Sequence, residues 1–189
     1  MRIDAKLLMS TLTGASRIAS KEKYLPAMCV VSIRTDKNAL WFESTNRFHA
    51  IRTKIYTKDV PEDVRVSIPT EAIKPLVAEL KKLPKHTMVD VVIGEQSVKV
   101  DLGESIYEVP TLNADFPNLS MLFQTTKYEN KDGQTSIGLS MEYLGELAKI
   151  DKGAWKFEIE HNRIRATSVT SNDTTPQWEY LLMYTRLAG

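Results

Sequence analysis

The chain predicts an α+β fold assembled from three copies of one unit: a short strand, an amphipathic helix, then a run of alternating strands. Three observations predict it. The pattern opens at Arg2 with RIDAKLLMSTLTGASRIAS, at Val66 with VSIPTEAIKPLVAELKKL and at Ser136 with SIGLSMEYLGELAKI. Each helical stretch is followed by segments that alternate apolar and polar residues, VVSIRTDKNALWFE, VDVVIGEQSVKVDLGE and WKFEIEHNRIRATSV. The recurrence, about every 65 residues, marks a modular architecture in which each unit buries its helix against a neighbour's sheet.

The first helix is expected from an N-cap at Asp4 to about Ser20, with Leu8, Leu12, Ala15 and Ala19 on one face and Leu7 and Ile18 flanking them. Lys6, Ser10, Thr13, Arg17 and Lys21 form a second stripe that contains no carboxylate. Gly14 weakens this helix by about 1 kcal/mol relative to alanine, which points to a close approach or a bend. Strands AMCVVSIR, ALWFEST and HAIRTKIYT follow, the first two joined by a turn at TDKN. TKDVPEDV reads as a polar linker.

In the second unit Thr70 is the expected helix cap, and Ile73, Leu76, Val77, Leu80 and Leu83 form the buried face. Pro75 either removes a hydrogen bond inside this helix or stands at its first position, with the helix starting near Lys74. Lys74, Lys81, Lys82 and Lys85 decorate the helix and its end, and Pro84 stops it. A hairpin turning near GEQS continues into SIYEVPTL, and KYENKDGQ reads as a surface loop or linker. The third helix, capped by Ser140, is expected to bury Tyr143, Leu144, Leu147, Ala148 and Ile150. Its exposed side mixes Glu142 and Glu146 with Lys149, so it is not cationic. Two strands and a polar loop lead to the last strand, WEYLLMYTRL.

Composition excludes several function classes. The 189 residues are 42% hydrophobic and 26% charged, ordinary values for a folded domain, and the formal net charge is +1, so any nucleic-acid footprint is local. The single cysteine, Cys29, allows no disulfide framework and no thiolate zinc cluster, and within AMCVVSI it reads as a buried structural thiol. No apolar stretch approaches the roughly 18 residues of a membrane span, and the opening LLM is too short for a signal peptide. A cytoplasmic protein without membrane contact is expected. His49, His86 and His161 lack metal-ligand spacing, and the 8 glycines form no phosphate loop. No catalytic residue, metal or cofactor is therefore expected; a small hydrolase built around Cys29 and His49 is the remote alternative.

Two signals remain. The lysine and arginine stripes on the first two helices suit a phosphate backbone, which point charges can neutralise without reading bases. Their plain reading is a solvated helix face. The apolar end WEYLLMYTRLAG reads structurally as a core strand. It reads functionally as a wall of Met183, Tyr184 and Leu187, which with Phe48 and Leu122 would hold a partner's apolar peptide.

Taken together these stretches resemble the beta sliding clamp of bacterial DNA polymerase III, the ring that tethers the polymerase to its template. LWFESTNRFHAIRT resembles the family's L-x-L-x-A-T-D-G-x-R-L-A, and VSIPTEAIKPLVAELKKL its V-x-x-P-x-K-A-L-x-E-L. VPTLNADFPNLSMLF resembles R-L-x-x-x-F-P-D-Y, and YLLMYTRL the terminal Y-x-x-M-P-x-R-L. Asn46-Arg47 stands where the family has Asp-Gly, and Tyr184 where it has proline.

The resemblance implies a DNA-clamp (processivity) fold with three strand–helix–strands units in place of the family's six. Residues 1–124 would be a complete domain of two units (1–60 and 64–124), most like the middle domain. Residues 125–134 would be a linker, and 135–189 a half domain like the second half of the last one. It also implies a partner-peptide groove of Thr45, Phe48, His49, Ala50, Leu122, Phe123, Gln124, Leu181, Met183, Tyr184, Thr185 and Arg186. Lys6, Arg17, Lys21, Lys74, Lys81 and Lys82 would face double-stranded DNA.

The implied role is a minimal sliding clamp that holds a DNA polymerase or another clamp-binding protein on duplex DNA, with a clamp loader as a further partner. The alternative is a clamp-derived module that binds replication proteins without encircling DNA. A third unit without a mate must pack on the first domain or on another subunit. Self-association is the expectation, and a homotetrameric ring would supply twelve units.

Overall fold

A computed structural model describes residues 1–124, 139–160, 163–169, 172 and 174–183. The first unit is β1 (Arg2–Asp4), α1 (Ala5–Ile18), β2 (Val30–Asp36), β3 (Ala39–Thr45) and β4 (His49–Tyr56). The second is β5 (Arg65–Pro69), α2 (Thr70–Lys82), β6 (Met88–Ile93), β7 (Ser97–Asp101) and β8 (Ile106–Pro110). The third comprises α3 (Met141–Ile150), β9 (Trp155–Glu160), β10 (Arg163–Ser168) and β11 (Trp178–Met183). The strand expected to open at Ser136, the 125–134 linker and His161 lie outside the described residues.

The first two units trade their opening strands. β1 joins the sheet of unit two, in the order β1-β6-β7-β8, while β5 joins the sheet of unit one. That second sheet does not stop at β4. β11 pairs antiparallel with β4, giving the seven-stranded order β5-β2-β3-β4-β11-β10-β9. The third unit thus pairs with the first within one chain.

Strand alternation sorts the seven-stranded sheet into two faces. Val31, Ile33, Leu40, Phe42, Ile51, Ile55, Tyr180 and Leu182 point to the helix layer and are buried with Leu8, Leu12, Ala15 and Ile18 of α1 and Ile73, Leu76 and Leu80 of α2. The opposite face carries a smaller cluster, Val30, Ala50, Phe116, Leu119, Phe123 and Leu181, made where the chain after β8 crosses the sheet. Beyond that cluster the face is polar: Arg52 makes a bidentate pair with Glu179 (3.0 and 3.1 Å), stitching β4 to β11. Arg34 and Arg65 each lie 3.7 Å from the buried Glu43 carboxylate.

Local chemistry sets the start of α1 and shifts that of α2. The Asp4 carboxylate accepts from the Lys6 and Leu7 amides (2.8 and 2.9 Å), so α1 starts where its N-cap residue places it. In α2 the cap position belongs to Pro69, and Thr70 is the first helical residue, where its hydroxyl cannot reach back to cap. Pro75 lies inside α2, which accepts the loss of one hydrogen bond near its start. On α3 only Leu147 is buried. Tyr143, Leu144 and Ile150 are half-buried, and Ala148, expected inside, is exposed. Cys29 ends a short 3-10 turn (Pro26–Met28) just ahead of β2, half-buried instead of inside a strand.

Gly14 is the close approach that its sequence context suggests. A Cβ there would lie 2.5 and 2.7 Å from the ring of Trp178 on β11 and 3.3 Å from Ile150 on α3. Gly14→Ala, a gain of about 1 kcal/mol at an exposed helical site, is therefore expected to destabilise by about 1–3 kcal/mol through overpacking. Urea unfolding of the two proteins checks the sign.

Candidate functional site

The turn between β3 and β4 is held by its own side chains. Asn46 Oδ1 accepts from the Phe48 and His49 amides (3.1 Å each), and the Thr45 hydroxyl donates to the His49 carbonyl (2.8 Å). Arg47 sits at φ +80°, a left-handed conformation that favours glycine, at the position where the clamp pattern has Gly. The Asn46 side chain and the neighbouring strands hold it there.

This turn, Leu122 of the crossing segment, and the end of β11 surround a cavity of about 160 Å³ lined by Thr45, Arg47, Phe48, His49, Ala50, Leu122, Arg163, Leu181 and Met183. Its floor follows from register: Thr45 pairs with Ala50, and Ala50 with Leu181, in one row that crosses from unit one to unit three. Phe48, Leu122 and Met183 are each about half exposed around that floor. They offer apolar surface that a ligand can cover.

Two of the expected groove residues have different roles. Phe123 is buried beneath the groove, with the Arg52 guanidinium 4.3 Å from its ring centroid, so it supports the wall and does not line it. Gln124 contributes its carbonyl, which accepts from Arg163 (3.1 Å) and Arg165 (3.3 Å) and ties the Leu122 wall to β10. Tyr184, Thr185 and Arg186 lie outside the described residues.

Sequence reading missed Arg47 and Arg163. Arg163 pairs with Met183 in register, a long-range neighbour that no local pattern reveals. Arg47 could have been found from its place in the turn.

His49 turns toward the helix layer. Its Nδ1 lies 2.6 Å from the Tyr180 hydroxyl, and its ring packs 4.5 Å from that of Tyr143. Burial pushes its pKa down to about 4, so the imidazole is neutral at physiological pH. Burial raises the Tyr180 phenol, with the Tyr143 and Glu146 groups adding to the effect.

Cys29 has a separate environment. Its thiol donates to the Glu22 carbonyl (3.3 Å), and burial, then the Glu71 and Glu22 carboxylates, push its pKa up. Both features oppose a nucleophilic thiolate. Among the described residues no group of three or more metal-ligating side chains converges. No described helix is long and apolar enough to cross a membrane.

The expected DNA-facing cations fall at the two ends of an antiparallel α1–α2 pair. At one end Lys21 and Lys74, with Lys23, line a cavity of about 480 Å³ that also holds Glu71 and the start of α2. Lys23 pairs with Glu71 at 3.8 Å. Arg17 and Lys21 line a second cavity, about 240 Å³, opposite Glu142 and Glu146 of α3.

At the other end Lys6 is engaged. Its ammonium donates to the Lys81 and Leu80 carbonyls (2.8 and 3.4 Å) and caps the C-terminus of α2. Lys81 is exposed, and Lys82 is exposed but paired with Glu79 at 2.7 Å.

Residues 1–120 match the family described as DNA polymerase III beta subunit, N-terminal domain, where the motifs suggest the middle domain. Among solved structures, the DNA polymerase III subunit beta from Pseudomonas aeruginosa matches with a TM-score of 0.70 at 16% identity, over 100% of this chain and 65% of that one. The DNA polymerase sliding clamp from Bacillus subtilis matches with a TM-score of 0.75 at 14% identity, over 100% and 64%. The beta subunit from Thermotoga maritima gives 0.67 at 9% identity, over 99% and 64%. At such identities the likeness speaks for the fold, and the chain spans about 65% of the length of the first of these relatives. No curated protein matches the chain. A chain whose first 120 residues fit that family, and whose clamp fold extends along its whole length, belongs to the DNA polymerase III beta subunit family, the bacterial sliding clamps.

Proposed function

We propose that this chain is a reduced sliding clamp that holds a replication or repair protein beside duplex DNA and performs no chemistry itself. The observation that carries the reading is the groove. Three segments far apart in sequence, Thr45–Ala50, Leu122 and Leu181–Met183, meet in one half-exposed apolar cavity at the junction of two units. Such a cavity suits a short peptide with large apolar side chains, and Arg47 and Arg163 at its margin favour a carboxylate in that peptide.

Met183→Ala removes an exposed wall without touching the core. It is expected to weaken binding of a labelled peptide carrying leucine, phenylalanine and aspartate by about 10-fold, in the range of a single interface anchor. Fluorescence anisotropy reads the change, and equal affinity for the two proteins would remove the groove from the proposal.

The DNA half of the proposal is supported by Lys21 and Lys74 sharing one cavity, with Arg17 adjoining. Paired Lys21→Glu and Lys74→Glu changes are expected to weaken duplex binding and to lower the slope of log affinity against log salt by about 0.9 for each phosphate no longer neutralised. A titration series in rising salt measures it. One observation favours the second reading, a protein-binding module that does not enclose DNA. Glu142 and Glu146 of α3 stand opposite Arg17 and Lys21 and thin the positive field there. An unchanged salt slope would favour that module.

A further inference from the structure

We infer that Glu179, which does not itself line the groove, is the residue that positions one of its walls. The inference rests on the groove reading and names what holds that site in shape. The wall is the turn that carries Leu122 across the outer face of the seven-stranded sheet. Its amides bond within the turn. Those of Leu122 and Phe123 donate to the Leu119 carbonyl (2.9 and 3.2 Å), and that of Gln124 donates to the Met121 carbonyl (3.3 Å). Such bonds fix the shape of the turn but not its place on the sheet, which the side-chain contacts around it must set.

Part of that attachment is apolar: Leu119 and Phe123 are buried with Val30, Ala50 and Leu181. Apolar burial is non-directional, so it holds the turn down without fixing where it lies. The directional contacts come from two arginines. The Arg52 guanidinium lies 4.3 Å from the centroid of the Phe123 ring, and that of Arg165 donates to the Gln124 carbonyl (3.3 Å). They stand on β4 and β10, and one carboxylate on the strand between them serves both. Glu179 accepts from Arg52 Nε (3.1 Å) and Nη2 (3.0 Å) and from Arg165 Nη1 (3.3 Å). Register makes the triad possible: Glu179 is directly opposite Arg52, and Arg165 is opposite Leu181, two residues further along the same face of β11.

The Arg52 and Arg165 side chains are 14% and 7% exposed, so both charges sit largely out of water. Without the Glu179 charge two like-charged guanidinium groups face each other across β11, and each gains by turning toward solvent. Either movement takes a support from the wall. Phe123 loses the cation on its ring, and the Gln124 carbonyl keeps Arg163 (3.1 Å) but loses Arg165. Leu122 then no longer stands at a fixed distance from Met183, and a peptide must order the wall before it can use it. Glu179 is a positioning residue: it acts through Arg52 and Arg165.

Glu179→Gln keeps the shape of the side chain and removes its charge. Amide hydrogen exchange of the free protein is expected to quicken about 10-fold at Leu122, Phe123 and Gln124 and to stay unchanged along α1. Affinity for the leucine, phenylalanine and aspartate peptide is expected to fall about 5-fold, and to fall no further when the change is added to Leu122→Ala. A residue that merely stabilised the sheet would weaken binding equally in both backgrounds. Arg165→Lys, whose ammonium lacks the planar fork that reaches Glu179 and Gln124 together, is the companion should Glu179→Gln lose its cooperative melt, with the same results expected. Additive effects, unaltered exchange at the wall, or unaltered affinity where Met183→Ala weakens it, each overturn the inference. Equal affinity of the Met183→Ala protein overturns the groove reading and this role with it, and quickened exchange at the wall in Glu179→Gln marks that failure as the groove's.

Discussion

Trp178→Ala is expected to destabilise the protein by about 3–5 kcal/mol and to abolish peptide binding at the same time. The indole is fully buried, its ring lies against Gly14 of α1, the Trp178 amide donates to the Ser168 hydroxyl (2.8 Å) and its strand pairs with β4. Removing it deletes a large core side chain and leaves a cavity between helix layer and sheet, which accounts for the magnitude. The effect on function follows from position. Trp178 anchors the start of β11, whose other end delivers Leu181 and Met183 to the groove. The loss of Trp178 should also reverse the sign of Gly14→Ala. With the ring gone, the added methyl has space and regains its helical advantage, so the two changes are strongly non-additive. Chemical unfolding of the four proteins in that cycle measures both statements.

The second large effect is acid destabilisation through His49. Its folded pKa is depressed to about 4 by burial, against about 6.5 in an unfolded chain. Above pH ~6.5 the imidazole is neutral in both states, and its contribution is fully present. As pH falls toward 4 the unfolded chain takes up the proton and the folded chain does not, so stability declines across that window. At about 1.4 kcal/mol per pKa unit, the loss reaches about 3 kcal/mol. His49→Asn should remove that part of the slope while leaving the carboxylate-driven decline at lower pH. Denaturant midpoints of both proteins between pH 7 and pH 4 test it, and parallel pH profiles would refute the role given to His49.

The parts of the fold legible in the sequence are those governed by local periodicity. The stripe of Leu8, Leu12 and Ala15 gives α1, the carboxylate of Asp4 caps it, and Gly14 announces a close neighbour without naming it. Trp178 lies far along the chain, and only register brings it to Gly14. Thr70 misled because a capping residue type stands one position inside the helix that Pro69 begins. Ala148 misled because helical spacing assumes a covered face, and α3 leans on α1 with Ala148 left exposed.

Thr45, Phe48, His49, Ala50, Leu122, Leu181 and Met183, which the resemblance groups together, line one cavity. The resemblance could not tell Leu122 from Phe123, since neighbouring residues of a turn face opposite ways and only the packing of Phe123 under Arg52 decides between them. The contact of the Lys6 ammonium with carbonyls on another helix was illegible for a similar reason: a stripe drawn on α1 alone does not show it.

The methyl resonance of Met183 offers the most direct test of the central claim, that a partner's peptide lies where the β3–β4 turn meets β11. With carbon-13 methyl-labelled methionine, assigned through Met183→Leu, addition of the leucine, phenylalanine and aspartate peptide should shift the Met183 signal in a saturable titration. Met9 and Met88, on unit one's helix and unit two's sheet, should not move with it. Binding that saturates while the Met183 signal stays in place would mean the peptide sits elsewhere, and the docking role assigned to this cavity would be wrong.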